Sequence, residues 1–216
     1  MDILCERDAG YFRNGAVQDL IRSMVATRET QAIVLQSLIA HEVEGARFLR
    51  ELTALQQIGN VGLSWNYHEH LRDELNHVRY FQAMARTVSG CDADQYCERN
   101  LTEEEKTVFL NPQEFFLGLY VAERFSASYL RALRLAWPDS SIDEHAKIAS
   151  VLEKVEEDER RHCDWVLGGL SVSDTVRVRD RMVEIWSDLE ISHLNTAVNS
   201  WQNSSFCNGP MFVKSL

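Results

Sequence analysis

Six residues of this sequence have the types and the spacing of a metal site. Glu74-x-x-His77 and Glu159-x-x-His162 repeat one motif, and Glu42 and Glu123 each stand alone upstream of one copy. Positions i and i+3 of a helix project side by side, so Glu-x-x-His can offer a carboxylate and an imidazole to one ion. A helical residue turns by about 100°, which makes apolar stripes readable from spacing. Glu42 falls at the centre of the stripe Leu35, Leu38, Ile39, Ala46 and Leu49, whereas Glu44 points away from it. Glu74 centres the stripe Leu63, Tyr67, Leu71, Val78, Phe81 and Ala85, with His77 on its flank. Glu123 centres Phe116, Leu119, Tyr120, Ala127 and Leu130. Glu159 centres Leu152, Val155, Cys163, Val166 and Leu170, with His162 beside it.

A buried carboxylate without a partner costs several kcal/mol even after relaxation. Four facing one another cost more, so each must be protonated, paired with its own cation or joined to the others by metal. Arg134 alone reaches a core-facing position near these stripes as a counter-charge. A single Glu-x-x-His in a Glu-rich helical chain is ordinarily surface chemistry. Two copies at stripe centres, together with two lone stripe-centred glutamates, point instead to two bound ions. Oxygen ligands with one imidazole per ion favour iron or manganese over zinc or copper.

The elements that must position these residues are helices. Asn14-Gly15 signals a turn, a short helix follows over about Ala16–Ala26, and a break near Thr27 leads into a long helix from about Thr30 to Gln57. A second long helix spans about Leu63–Thr87. The stretch 91–110 is acidic and irregular, with a capping-box start at Thr102-x-x-Glu105. Asn111-Pro112-Gln113-Glu114 opens a third long helix, which Pro138 stops after Trp137. Ser141-x-x-Glu144 opens a fourth, ending at Gly168-Gly169, and Ser173-Asp174 opens a fifth that runs to about Trp201. Short connections make helices 1 and 2, and helices 3 and 4, antiparallel neighbours. The long segment between helices 2 and 3 can run the length of a helix. The expected fold is all-α: a four-helix bundle with one long crossover, plus an N-terminal helix and a long C-terminal one. One domain, 1–216, is expected, with a bundle core over about 30–170, a C-terminal helix over about 173–201 and a flexible tail at 202–216.

Composition narrows the function. The chain has 216 residues, enough for a sizeable core, and its 10 Gly and 3 Pro are too few for a turn-rich β fold. A formal charge of −11 weighs against nucleic-acid and anionic-membrane partners. No apolar run spans a bilayer, and the first ten residues lack the order of a signal peptide. Five cysteines without a C-x-x-C pair fit a reducing cytoplasm better than a disulfide framework or a structural zinc site.

The order Glu42, Glu74-x-x-His77, Glu123, Glu159-x-x-His162 resembles the ferritin-like diiron-carboxylate superfamily over about Thr30–Gly169. The resemblance implies two iron ions per chain, with manganese–iron an overlapping possibility. It implies that Glu42, Glu74 and His77 hold one ion and Glu123, Glu159 and His162 the other, with Glu74 and Glu159 bridging. The same four glutamates are then the candidate catalytic residues. Asp158-Glu159-Arg160-Arg161-His162 is similar to the D-E-x-R-H segment of bacterial multicomponent monooxygenases. A ligating histidine needs its other ring nitrogen tied to an acceptor. Asp73 is expected to support His162 and Asp158 to support His77, with Arg161 buttressing both; the alternative is two solvated flank aspartates.

His70, one turn before Glu74, can be an extra ligand, a proton shuttle or a hydrogen-bonded core histidine, the last being preferred. His41, His68, His145 and His193 read as surface residues. Tyr67, Tyr120 and Cys163 flank the ligands and read as packing, and Glu156 leans partly inward as an undecided acid.

Three reactions compete. The first is an oxygenase or oxidase acting on a small or carrier-bound organic substrate with O2 and an external electron donor. The second is a rubrerythrin-like peroxidase, and the third a ferroxidase. The missing C-x-x-C, the small Ser126 at Glu123+3 and Gly45 at Glu42+3, and the long C-terminal helix favour the first. Ser126 and Gly45 are expected to leave room beside the metals. The tRNA-modifying diiron hydroxylases share the size and helix order, but −11 argues against a nucleic-acid substrate. The added helices can cover a pocket or build a homodimer face.

Overall fold

The chain is described here by a computed structural model over residues 10–56, 64–90, 112–138, 143–169 and 180–191. Nearly all of these residues are helical, and no strand occurs among them. The 91–110 segment, the helix start at Ser141, the remainder of the fifth helix and the 202–216 tail lie outside the described residues.

Helix α1 is Gly15–Met24, α2 Arg28–Gln56, α3 Ser64–Ser89, α4 Pro112–Ala136 and α5 Asp143–Gly169. A last helical segment covers 180–191 and is called α6. Asn14 caps α1 by accepting the Ala16 N–H at 2.9 Å. The break before α2 has a specific cause in two threonines. Thr30 N–H donates to the Thr27 hydroxyl and Thr27 N–H to the Thr30 hydroxyl, each at 3.2 Å. This reciprocal pair works as a capping box and restarts the helix.

Partner sums along the chain give the packing direction. On α2 and α3, Glu42 meets His77 and the Arg28 guanidinium donates to the Val88 carbonyl. On α4 and α5, Tyr120 meets Cys163 and Arg134 meets Glu156. Both pairs are therefore antiparallel. Asp73 with Arg161 and His77 with Asp158 join α3 to α5, also antiparallel. The four long helices close around Leu35, Ile39, Leu49, Phe81, Leu130, Leu133, Ile148 and Leu152, all fully buried. Burying each such side chain contributes about 1.5–3 kcal/mol, which offsets the charged groups held among them.

The chain's two outer elements meet on α4. Trp186 of α6 is fully buried edge-on to Phe125, with ring centroids 5.1 Å apart, and Phe12 packs on the same ring at 5.3 Å. The Trp186 indole N–H donates to Glu190 at 2.7 Å, satisfying its one polar atom. Among the described residues, no helix is long and apolar enough to cross a membrane.

Candidate metal centre

The four stripe-centred glutamates and both motif histidines are buried side by side between the four long helices. Their ligand atoms form two groups that share one residue. Glu42, Glu74, His77 and Glu159 make one group, and His70, Glu74, Glu123 and His162 the other; within each, one atom per residue lies within 4.8 Å of all the others.

Both motif histidines point the same nitrogen at the glutamates. His77 Nδ1 is 3.1 Å from Glu42 Oε2 and 3.3 Å from Glu159 Oε1. His162 Nδ1 is 3.4 Å from Glu123 Oε2, 3.5 Å from Glu159 Oε2 and 3.8 Å from Glu74 Oε1. Glu159 thus presents one oxygen to each histidine, and Glu74 belongs to both groups.

The outward nitrogens face aspartates from the opposite helix. His77 Nε2 is 3.3 Å from Asp158 Oδ2, and His162 Nε2 is 3.6 Å from Asp73 Oδ2. Arg161 ties the aspartates together, its Nη2 lying 2.8 Å from Asp73 Oδ2 and 2.7 Å from Asp158 Oδ1. Both aspartates are buried, so the solvated-flank alternative does not describe them.

His70 is where sequence reasoning stopped short. Its Nε2 lies 3.1 Å from Glu74 Oε1 and 3.1 Å from Glu123 Oε1, and its ring sits 3.7 Å from that of His162. It is the hydrogen-bonded core histidine expected, and it also completes the second ligand group. The inward turn position before Glu74 was the available signal; the approach of Glu123 from another helix was not.

Other neighbours resolve differently from expectation. Glu156 is not among the ligands: Arg134 holds it at 3.1 Å and Arg160 from the other side. Arg134 therefore neutralises Glu156 and not the four central glutamates. Gly45 makes room for a ligand, since a Cβ there would lie 2.8 Å from Glu74 Oε2. The Ser126 hydroxyl pairs with His41 at 3.1 Å, and His41 lines the cavity beside the centre. His41 and His68 are exposed. Tyr67 stacks on Phe116 at 6.0 Å, and the Cys163 thiol meets the Tyr120 carbonyl at 4.0 Å, so packing accounts for all three flanking residues. His193 lies outside the described residues, as does the His145 side chain.

The electrostatics are those of a site built for cations. Burial raises Glu42 and Glu123, and it raises Glu74 to about 7 with help from the Glu42 charge. Burial works against ionising Glu159 too, but its neighbours Glu123, His162 and His77 hold it well below the usual carboxylate range. Burial opposes charge on the histidines, yet the surrounding carboxylates raise His70 to about 9 and raise His77 further. Protons on imidazoles and carboxyls balance the charge where cations would.

His162 supplies the test of fit. It is completely buried, and neither ring nitrogen has a hydrogen-bond partner. An orphaned buried imidazole is costly. Three carboxylate oxygens surround its Nδ1 at 3.4–3.8 Å without making a hydrogen bond to it. Ions that bind nitrogen and oxygen at about 2.0–2.2 Å hold adjacent ligand atoms about 3–4 Å apart. The donor set fits a pair of such ions.

A cavity of about 320 Å³ opens beside the centre between α2 and α4. Glu42, Glu74, Glu123 and Glu159 form one wall, and Phe48, Leu49, Phe115 and Leu119 line much of the rest.

No protein-family model, curated protein or solved structure matches this chain. Two buried histidine–carboxylate groups that could hold metal ions are present in an all-helical fold.

Proposed function

We propose that this chain is a ferritin-like diiron-carboxylate oxidoreductase, an oxygenase or oxidase that uses O2 on a small organic substrate. The observation that carries the reading is the pair of buried four-residue groups sharing Glu74, each containing a motif histidine whose Nε2 faces an aspartate. The two antiparallel helix pairs, with the longest connection between α3 and α4, support the bundle with one crossover. Oxygen-rich ligation favours iron, with manganese the competing ion.

Glu42, Glu74, His77 and Glu159 would hold one ion, and His70, Glu74, Glu123 and His162 the other. A ferrous pair supplies two electrons to O2 at once, and an external donor must restore them. The chain's own residues do the rest. Asp158 would fix the proton of His77 on Nε2 by its hydrogen bond. The charge of Asp73, facing His162 Nε2 at 3.6 Å, would favour the proton there too, leaving Nδ1 of each as the donor atom. Phe48, Leu49, Phe115 and Leu119 keep water from the carboxylate wall and suit an apolar substrate portion.

Anaerobic iron loading followed by elemental analysis tests the centre, and about two irons per chain is the expected result. No metal, or a single zinc, would overturn the reading. Oxygen uptake by the reduced protein should then rise when small apolar substrates are added. Rapid peroxide turnover without any such substrate would move the assignment to a protective peroxidase.

A further inference from the structure

On the face of α4 and α5 turned away from that cavity lies a second, larger depression of about 780 Å³. Its lining joins three elements far apart in sequence, the segment 12–22, α4 and α5. Five arginines line it (Arg13, Arg22, Arg124, Arg131 and Arg160) against one acid, Asp164. On a chain of net charge −11, such a concentration of one sign is a local reversal of the surface field. Arg22 is engaged locally by Asp19 and Arg160 by Glu156. Arg13 and Arg131 are exposed and have no polar partner among the described residues. Between the guanidinium groups the wall is apolar, formed by Phe12, Ile21, Ala127 and Leu135, the last 72% exposed.

We infer that this depression binds a small organic molecule carrying a phosphate and an apolar portion. Guanidinium forks match phosphate oxygens in charge and in bidentate geometry. The volume falls within the range of about 300–1,000 Å³ that small ligands occupy, and the concave shape suits them better than a protein face. The apolar wall beside the arginines gives a hydrocarbon portion a place to leave water.

Titration calorimetry of the full chain with hexyl phosphate, inorganic phosphate and hexanol tests the proposal. Hexyl phosphate should bind saturably and at least tenfold more tightly than either fragment. The double variant Arg13→Gln/Arg131→Gln should weaken it at least tenfold, while Arg79→Gln on the exposed side of α3 leaves it unchanged. Both altered side chains are at the surface, and an unchanged circular dichroism spectrum establishes that the fold is intact. Equal affinity for hexyl and inorganic phosphate would overturn the apolar part of the assignment. No saturable binding, or binding indifferent to the double variant, would overturn the whole. Response to a polyglutamate peptide alone would make the surface a docking face for an acidic protein and overturn the small-molecule assignment.

Discussion

The two ligand groups of this chain are alike in support and unlike in composition. Each motif histidine faces an aspartate on the opposite helix, and Arg161 serves both aspartates. Yet the Glu42 group has three carboxylates and one imidazole, while the Glu123 group has two of each. The difference comes from His70, which has no counterpart one turn before Glu159: Val155 stands there. Carboxylates suit harder ions such as manganese, and imidazole suits iron and later metals. On the proposed reading, a near-symmetric scaffold offers two inequivalent positions, and one of them is the natural place for a mixed pair to discriminate.

The largest way to break this comparison is to remove what the groups share. Glu74→Ala should abolish loading at both positions, taking the iron content from about two per chain to near zero. Retention of one iron would mean that Glu74 belongs to one group alone. His70→Ala should act on one position only. It should weaken the Glu123 position by about 10–100-fold and leave the Glu42 position filled, bringing the stoichiometry at limiting iron to about one. Equal loss from both positions would erase the distinction drawn here.

The smallest effect is in the pH dependence of the metal-free protein. Burial, aided by the Glu42 charge, puts the Glu74 carboxyl at about 7. A carboxyl raised on folding stabilises the fold fully below its ordinary range and loses that contribution as pH rises through its folded value. His70 is raised to about 9, the Glu123 charge outweighing burial, and its contribution likewise disappears as pH rises through about 9. Asp73 has the opposite sign: burial works to raise it, but His162 and Arg161 hold it at about 2, so its stabilisation is lost only as pH falls through that value. The thermal midpoint of metal-free protein should therefore decline from mildly acidic to mildly basic pH. Bound ions displace these protons, so the loaded protein should show a flatter profile in the same scan.

Much of the centre was legible because helical period converts spacing into direction. Glu42, Glu74, Glu123 and Glu159 could be placed inward from their own neighbours alone, and so could the histidines three residues on. Helix limits followed from local chemistry at Asn14, Pro112 and Gly168-Gly169. What spacing does not carry is which helix faces which side chain. His70 was visibly inward, but only the approach of Glu123 from α4 makes it a ligand candidate. Gly45 and Ser126 both read as empty space, although a glutamate fills one and a histidine engages the other. The arginine-lined depression was invisible for a related reason. Its members come from three separated stretches, and a net charge of −11 gives no hint of them.

The burial of Trp186 against Phe125 has a consequence for the order of events in the cell. Chains emerge from the ribosome from the N-terminus onward, and early elements wait for later ones. Phe125, two residues from Glu123, keeps one side uncovered until residue 186 has been synthesised. The helix that carries Glu123, one of the four residues in its group, is thus the last to be sealed, and that wall takes its final form only once α6 has been made.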